Sequence, residues 1–207
     1  MPIPGLAPIR GRAVAREVRR ALADPEAPLG PFAEEAGLGA QRRLARMGRP
    51  PEAESDAVAW AVWLGDFLGL EAALHVGTAG FADHEFYQTV HDILETADPP
   101  AEVRAAVEFM EGLASWDFES AASGARAILE ALGTVDAPVA GPGARILAPL
   151  DRGRLLDGAA VAFLKTGDPD AADEVLRRLE GVSGRAPGDF RLRLLRAHIE
   201  LGRATVH

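Results

Sequence analysis

The chain has 207 residues, enough for one domain or one compact repeat array with a sizeable core. It contains no cysteine and no run of about 18 apolar residues, which excludes disulfides, thiolate catalysis, cysteine-based zinc or iron–sulfur sites and a membrane span. The net charge of −9 is unevenly placed: residues 1–49 carry +4, residues 50–136 carry −15 and residues 137–207 carry +2, an acidic middle that argues against a nucleic-acid binder of the usual basic kind.

Residues 1–37 stand apart as an arm. "MPIPGLAPI" and "ADPEAPLGPF" are rich in proline and read as extended, and the first lacks the long apolar stretch of a secretory signal. Between them "GRAVAREVRRALA" reads as a short basic amphipathic helix with Val14, Val18 and Leu22 on one face. It can cap the rest of the chain or reach into another protein, including the acidic middle of a second copy. With no cysteine, the expected location is the cytoplasm. The absence of Asn, with Gln only at 41 and 88 and Lys only at 165, fits either heat adaptation or a GC-rich genome.

From residue 38 onward the pattern is helical. Trp60, Trp63 and Phe67 stand at helical spacing and read as buried core, although Trp is also enriched at interface hot spots. "FLGLEAALHVGTAG", residues 67–80, is a poor helix with three glycines. In "DHEFYQTVHDILE" the residues His84, Gln88, His91 and Glu95 share one helix face, and His91 with Glu95 can share a metal ion. His84 and His91 are two turns apart, about 10 Å by helical rise, too far for one ion. The plainer reading is a polar outer stripe, with Phe86, Val90, Ile93 and Leu94 facing the core.

"WDFESAASGARAIL", from Trp116, returns 51 residues later as "GDPDAADEVLRRLE", from Gly167: Asp117 matches Asp168, Ala121 matches Ala172 and Ile128 matches Leu179. Steps of 34 residues place further turns near 48, 82 and 201. The irregular interval is accounted for by "GTVDAPVAGPGARILAP", residues 133–149, which reads as an inserted Gly/Pro loop. Asp83, Asp117 and Asp168 are expected N-caps, since a carboxylate there accepts from amides two or three residues into the helix. Pro169 suits a first turn. The last helix, "DFRLRLLRAHIELGR", is expected to end at a Gly202–Arg203 turn.

Helix pairs joined by short turns at this period resemble the tetratricopeptide repeat. The unit from Gly153 to Pro187 carries the resemblance best: Leu156, Ala160 and Phe163, then Gly167–Asp168, then Ala172, Leu176 and Leu179, then Pro187. Leu179 stands where the family has Ala, the Trp116 turn lacks the family's Gly, and residues 1–37 do not fit. The resemblance implies an all-α fold, a tetratricopeptide-like antiparallel helix-hairpin array (an α-solenoid) over residues 38–207. Its first helices would line a concave face that cradles a peptide. On that face would lie Arg154, Asp157, Val161 and Lys165, then Asp189, Arg193 and Arg196, a set able to receive a carboxylate or to serve as a solvated surface. The family's chaperone-binding members clamp a terminal carboxylate with Lys and Asn, and a chain without Asn lacks that clamp.

Catalytic patterns do not emerge: "GPGARIL" at 141 lacks a phosphate-loop Lys, and no GxSxG elbow is present. The expected function is a non-catalytic scaffold or adaptor without cofactor or metal. It would bind a protein or peptide through Arg154, Asp157, Lys165, Arg193 and Arg196, with self-association possible and no nucleic acid or membrane span. The alternatives are a structural subunit of a larger assembly and a metal-dependent enzyme using the His84–Glu95 helix.

Overall fold

The computed structural model describes residues 16, 43, 46–52, 56–78, 84–133, 141–182 and 190–205. They form helices α1 (Ala57–Thr78), α2 (His84–Ala97), α3 (Ala101–Ser115), α4 (Phe118–Leu132), α5 (Pro142–Ile146), α6 (Arg152–Lys165), α7 (Pro169–Val182) and α8 (Phe190–Thr205). There is no strand among the described residues, so the chain is all-α. No helix among them is long and apolar enough to cross a membrane. The arm (except Arg16), Asp83 and the expected turn near 82, residues 134–140 of the Gly/Pro segment, Pro187 and Asp189 lie outside the described residues. The chain divides into two compact units, residues 1–104 with 145–149, and residues 105–144 with 150–207.

In the first unit, α1 starts where Asp56 caps it. The Asp56 carboxylate accepts the Ala59 N–H at 2.9 Å and its carbonyl accepts the Trp60 N–H at 3.0 Å. The core is aromatic, as the spacing of Trp60, Trp63 and Phe67 predicts: all three are buried. Trp63 stacks on Phe67 at 6.0 Å, Phe67 stacks on Phe86 of α2 at 6.0 Å, and Tyr87 meets Phe86 edge-on at 5.5 Å. Each such pair adds about 0.5–1.5 kcal/mol beyond the area it buries. The indole N–H of Trp63 donates to the Met47 carbonyl at 2.7 Å, so the ring is buried without losing its polar bond.

Residues 67–78 of the stretch expected to be a poor helix of its own are the second half of α1, which runs unbroken through Gly65 and Asp66. The glycines do not turn the chain. A Cβ at Gly65 would sit 3.6 Å from Pro149, and one at Gly69 would sit 2.6 Å from an Arg43 guanidinium nitrogen. The carboxylate of Asp66 is tolerated in the middle of an apolar helix because Arg46 grips it at 2.6 and 2.7 Å. Between the turns expected near 48 and 82, the described residues hold one helix, α1, where a 34-residue repeat has two.

In the second unit, α3 and α4 form an antiparallel hairpin brought together by small residues. A Cβ at Gly112 would lie 2.5 Å from the Ala121 nitrogen, and one at Gly124 would lie 2.6 Å from the Ala105 carbonyl oxygen. Backbone therefore meets backbone, and Ala105, Ala106, Ala121, Ala122 and Ala125 are buried along the seam. Helix α6 packs against α4 and α7, and α8 packs against both α7 and α6. Gly158 of α6 admits Phe109 and Leu113 of α3, whose side chains would come within 3.0 Å of a Cβ there. Leu155, Leu156, Ala159, Ala160 and Phe163 of α6 are buried with Ala172, Val175, Leu176 and Leu179 of α7, as their spacing predicts.

The two turns of this unit match. Trp116 and Gly167 each follow a helix in the left-handed region, at φ 66° and 77°. The next residue is an Asp that caps the following helix: Asp117 accepts the Ser120 N–H at 3.2 Å and Asp168 accepts the Ala171 N–H at 3.0 Å. Both Asp carbonyls then accept the N–H four residues on, from Ala121 and Ala172. The expected turn at Gly202–Arg203 is absent, because α8 continues to Thr205. Gly202 lies inside α8, where a Cβ would sit in ordinary contact with Pro169 and Leu164, at 3.6 and 3.9 Å.

Candidate functional site

Helices α6 and α8 are neighbours in the second unit and carry the residues expected to bind a partner. Asp151 caps α6 by accepting the Arg154 N–H at 2.6 Å. From that start, Arg154, Asp157, Val161 and Lys165 follow one another around a single face. Arg154 and Lys165 are exposed, and Asp157 and Val161 are half-buried, opposite the buried stripe of Leu155, Ala159 and Phe163. On α8, Arg193 and Arg196 are exposed, while Leu192, Leu195 and Ile199 are buried. The five residues thus lie on the outward faces of two packed helices, four cations with one carboxylate. Such a surface suits an anionic group, with Arg offering a two-pronged contact.

Beside this face runs a network that the spacing does not reveal. The Arg203 guanidinium donates to Asp170 at 2.9 Å and to Asp173 at 3.0 Å, joining α8 to α7. Arg177 donates to the same Asp173 oxygen at 2.9 Å. The Asp173 carboxyl is held below the usual range by the hydrogen bonds from Arg177 and Arg203, and the Arg203 guanidinium is pushed up by those to Asp170 and Asp173. Between α4 and the second turn, Arg126 donates to Asp168 at 2.9 Å and lies over the Phe163 ring, 5.0 Å from its centre. These bonds hold hairpins together and tie their cations to structural work.

The polar face of α2 is mostly exposed among its described residues. His84 and Glu95 are exposed, His91 is half-buried, and Gln88 donates to the Asp92 carboxylate at 3.1 Å. Among the described residues, no group of three His, Asp or Glu side chains is placed to hold an ion. The buried residues Phe86, Val90, Ile93 and Leu94 face the core as their spacing predicts.

Sequence reasoning missed Trp116 as a surface residue. It is 67 % exposed, whereas Trp60 and Trp63 are buried. Its ring meets Phe118 edge-on at 6.1 Å. Asp117 beside it accepts from both the hydroxyl and the N–H of Ser120, at 2.8 and 3.2 Å, and those bonds hold its carboxyl below the usual range. The one sequence signal was the absence of Gly where the matching turn has Gly167. Compared with known proteins, the chain matches no family, no curated protein and no solved structure.

Proposed function

We propose that the chain is a non-catalytic scaffold or adaptor, built at least in its second unit from tetratricopeptide-like hairpins and binding a protein or peptide partner. The observation that carries this reading is the match between the two hairpins α3–α4 and α6–α7. They share a left-handed residue, a capping Asp and buried residues at corresponding positions, 51 residues apart. Packing of α4 on α6, and of α7 and α6 on α8, is the neighbour pattern by which stacked hairpins bury a core that one hairpin alone cannot. Helices used in this way spend their apolar faces on stacking and leave outward faces for recognition. Arg154, Asp157, Lys165, Arg193 and Arg196 occupy such faces and are the proposed contact residues. A cytoplasmic setting fits a chain without cysteine.

The test is an affinity pull-down from the native host at low and high salt, with the wild-type chain and with the Arg154→Glu, Lys165→Glu, Arg193→Glu, Arg196→Glu variant. The reading expects one stoichiometric protein that weakens with salt and is lost with the variant. An empty pull-down from folded protein at low salt removes it. A second reading, a structural subunit, is favoured by the exposed Leu194 and Leu201 on α8. Sedimentation that shows a concentration-dependent assembly, lost in Leu194→Ser with Leu201→Ser, would put this reading first.

A further inference from the structure

We propose that the Trp116 turn is a docking point for a basic, arginine-bearing segment of a partner protein. Trp116 is costly to the folded chain where it stands. A side chain with a Cβ in the left-handed region loses about 1–2 kcal/mol relative to the right-handed one. The matching turn avoids that loss with Gly167, where a Cβ would meet nothing within 4 Å. Trp116 also leaves the largest apolar side chain two-thirds in water. The edge contact with Phe118 offsets only part of these costs, because exposed ring pairs are worth about 0.5–1.5 kcal/mol. A strained, exposed indole at a position that Gly would fill better is a feature of recognition rather than of folding.

The surroundings select the ligand. Residues 105–132 carry Glu108, Glu111, Asp117, Glu119 and Glu130 against a single cation, Arg126. That cation is engaged by Asp168 and the Phe163 ring. Asp117 follows Trp116 directly and Glu119 stands three residues on; both are exposed, and the Asp117 carboxylate also caps α4. An exposed indole in so acidic a stretch attracts a cation twice, through the ring quadrupole and through the net opposite charge around it. A guanidinium fits best, since its planar group stacks on a ring while its N–H groups reach carboxylates. The Trp116 site takes a cation, so it is chemically distinct from the cationic face of α6 and α8, which takes an anion.

The proposal rests on the scaffold reading only in taking the ligand to be a protein segment, and its test needs no natural partner. The probe is a fluorescein-labelled nine-residue peptide of alternating Arg and Gly, with a Glu–Gly peptide as control, titrated against the whole chain by anisotropy. Unlabelled Arg–Gly peptide added to the protein reports on Trp116 directly, because the other two tryptophans are buried. Saturable binding of the arginine peptide alone is expected, with a shift in tryptophan emission. In Trp116→Gly the affinity should fall at least tenfold while the thermal midpoint does not fall. Trp116→Asn, a residue that tolerates the left-handed region, should behave in the same way. Equal affinity in the wild type and both variants, or no saturable binding to the wild type, overturns the proposal. Either result leaves the pull-down test of the scaffold reading untouched.

Discussion

Arg46 closes on the carboxylate of Asp66 with two guanidinium nitrogens, at 2.6 and 2.7 Å, while Asp66 itself is only 5 % exposed. The bonds from Asp66 raise the affinity of the Arg46 guanidinium for its proton. Removing one partner leaves a charge in an apolar setting, which is where ion pairs matter most. Arg46→Ala is expected to destabilise the chain by about 2 kcal/mol, toward the low end for such pairs because the arginine is half in water. Asp66→Leu, which removes the buried charge, should cost less. Urea denaturation of both variants checks the order, and a larger loss for Asp66→Leu would contradict it.

The matched turns predict opposite outcomes for exchanged residues. Gly167→Ala should lower stability by about 1 kcal/mol with no clash involved, since the site is open and only the backbone region is unfavourable. Trp116→Gly should be neutral or stabilising by up to about 1 kcal/mol, because relief of the left-handed conformation outweighs the lost ring contact. Thermal melts followed by circular dichroism read both. A stabilising Gly167→Ala would undo the comparison.

Glycines in helices divide by what faces them. Gly124→Ala pushes a Cβ into the Ala105 carbonyl oxygen and the Phe109 nitrogen, at 2.6 and 2.8 Å, and backbone cannot step aside cheaply. The expected loss is about 2–3 kcal/mol. Gly65→Ala meets Pro149 at an ordinary 3.6 Å and gains helix propensity, for an expected stabilisation of about 0.5–1 kcal/mol. The two melting temperatures should therefore move in opposite directions.

The second unit has an acid-sensitive joint. Asp117 and Asp173 have carboxyls held below their ordinary value, the first by Ser120 and the second by Arg177 and Arg203. A carboxyl depressed by folding contributes stability above its unfolded value of about 3.9, and that contribution is lost as pH falls through the lower folded value. Arg203→Met should be less stable than the wild type at pH 7, by a modest margin because the network is partly solvated. The gap should close as pH drops below about 3.9. Denaturation at pH 7 and at pH 2.5 tests this, and a gap of equal size at both would locate the effect in packing.

The second unit was the more legible part in sequence because its signals are local. Asp117 and Asp168 announce helix starts, and Ala121, Ala125 and Ile128 recur on one face as do Ala172, Leu176 and Leu179. The first unit was harder because α1 is apolar on several sides, with Trp60 and Leu64 buried while Val58 and Val62 are exposed. Such a helix shows no clear stripe, and its glycines look like breaks. The Arg46 partner that lets Asp66 sit in the middle of α1 is 20 residues away and leaves no periodic trace. The outward placement of Arg154 and Lys165 could be read from the α6 stripe. The exposure of Trp116 could not, because an aromatic residue beside a turn looks the same whether it points to a core or to water. The joining of Arg203 to Asp170 and Asp173 likewise depends on which helices become neighbours.

At the second turn, stop and start are fused. The Asp168 N–H donates to the Phe163 carbonyl at 2.8 Å, closing α6, while the Asp168 carboxylate caps α7. One residue serves both helices, so an added amino acid there would undo an ending and a beginning together. Between α4 and α6 the two duties fall on different residues: the Gly133 N–H donates to the Glu130 carbonyl at 3.2 Å to end α4, and the Asp151 carboxylate starts α6. This asymmetry makes the fused turn at Asp168 the less tolerant of the two places for a change of length.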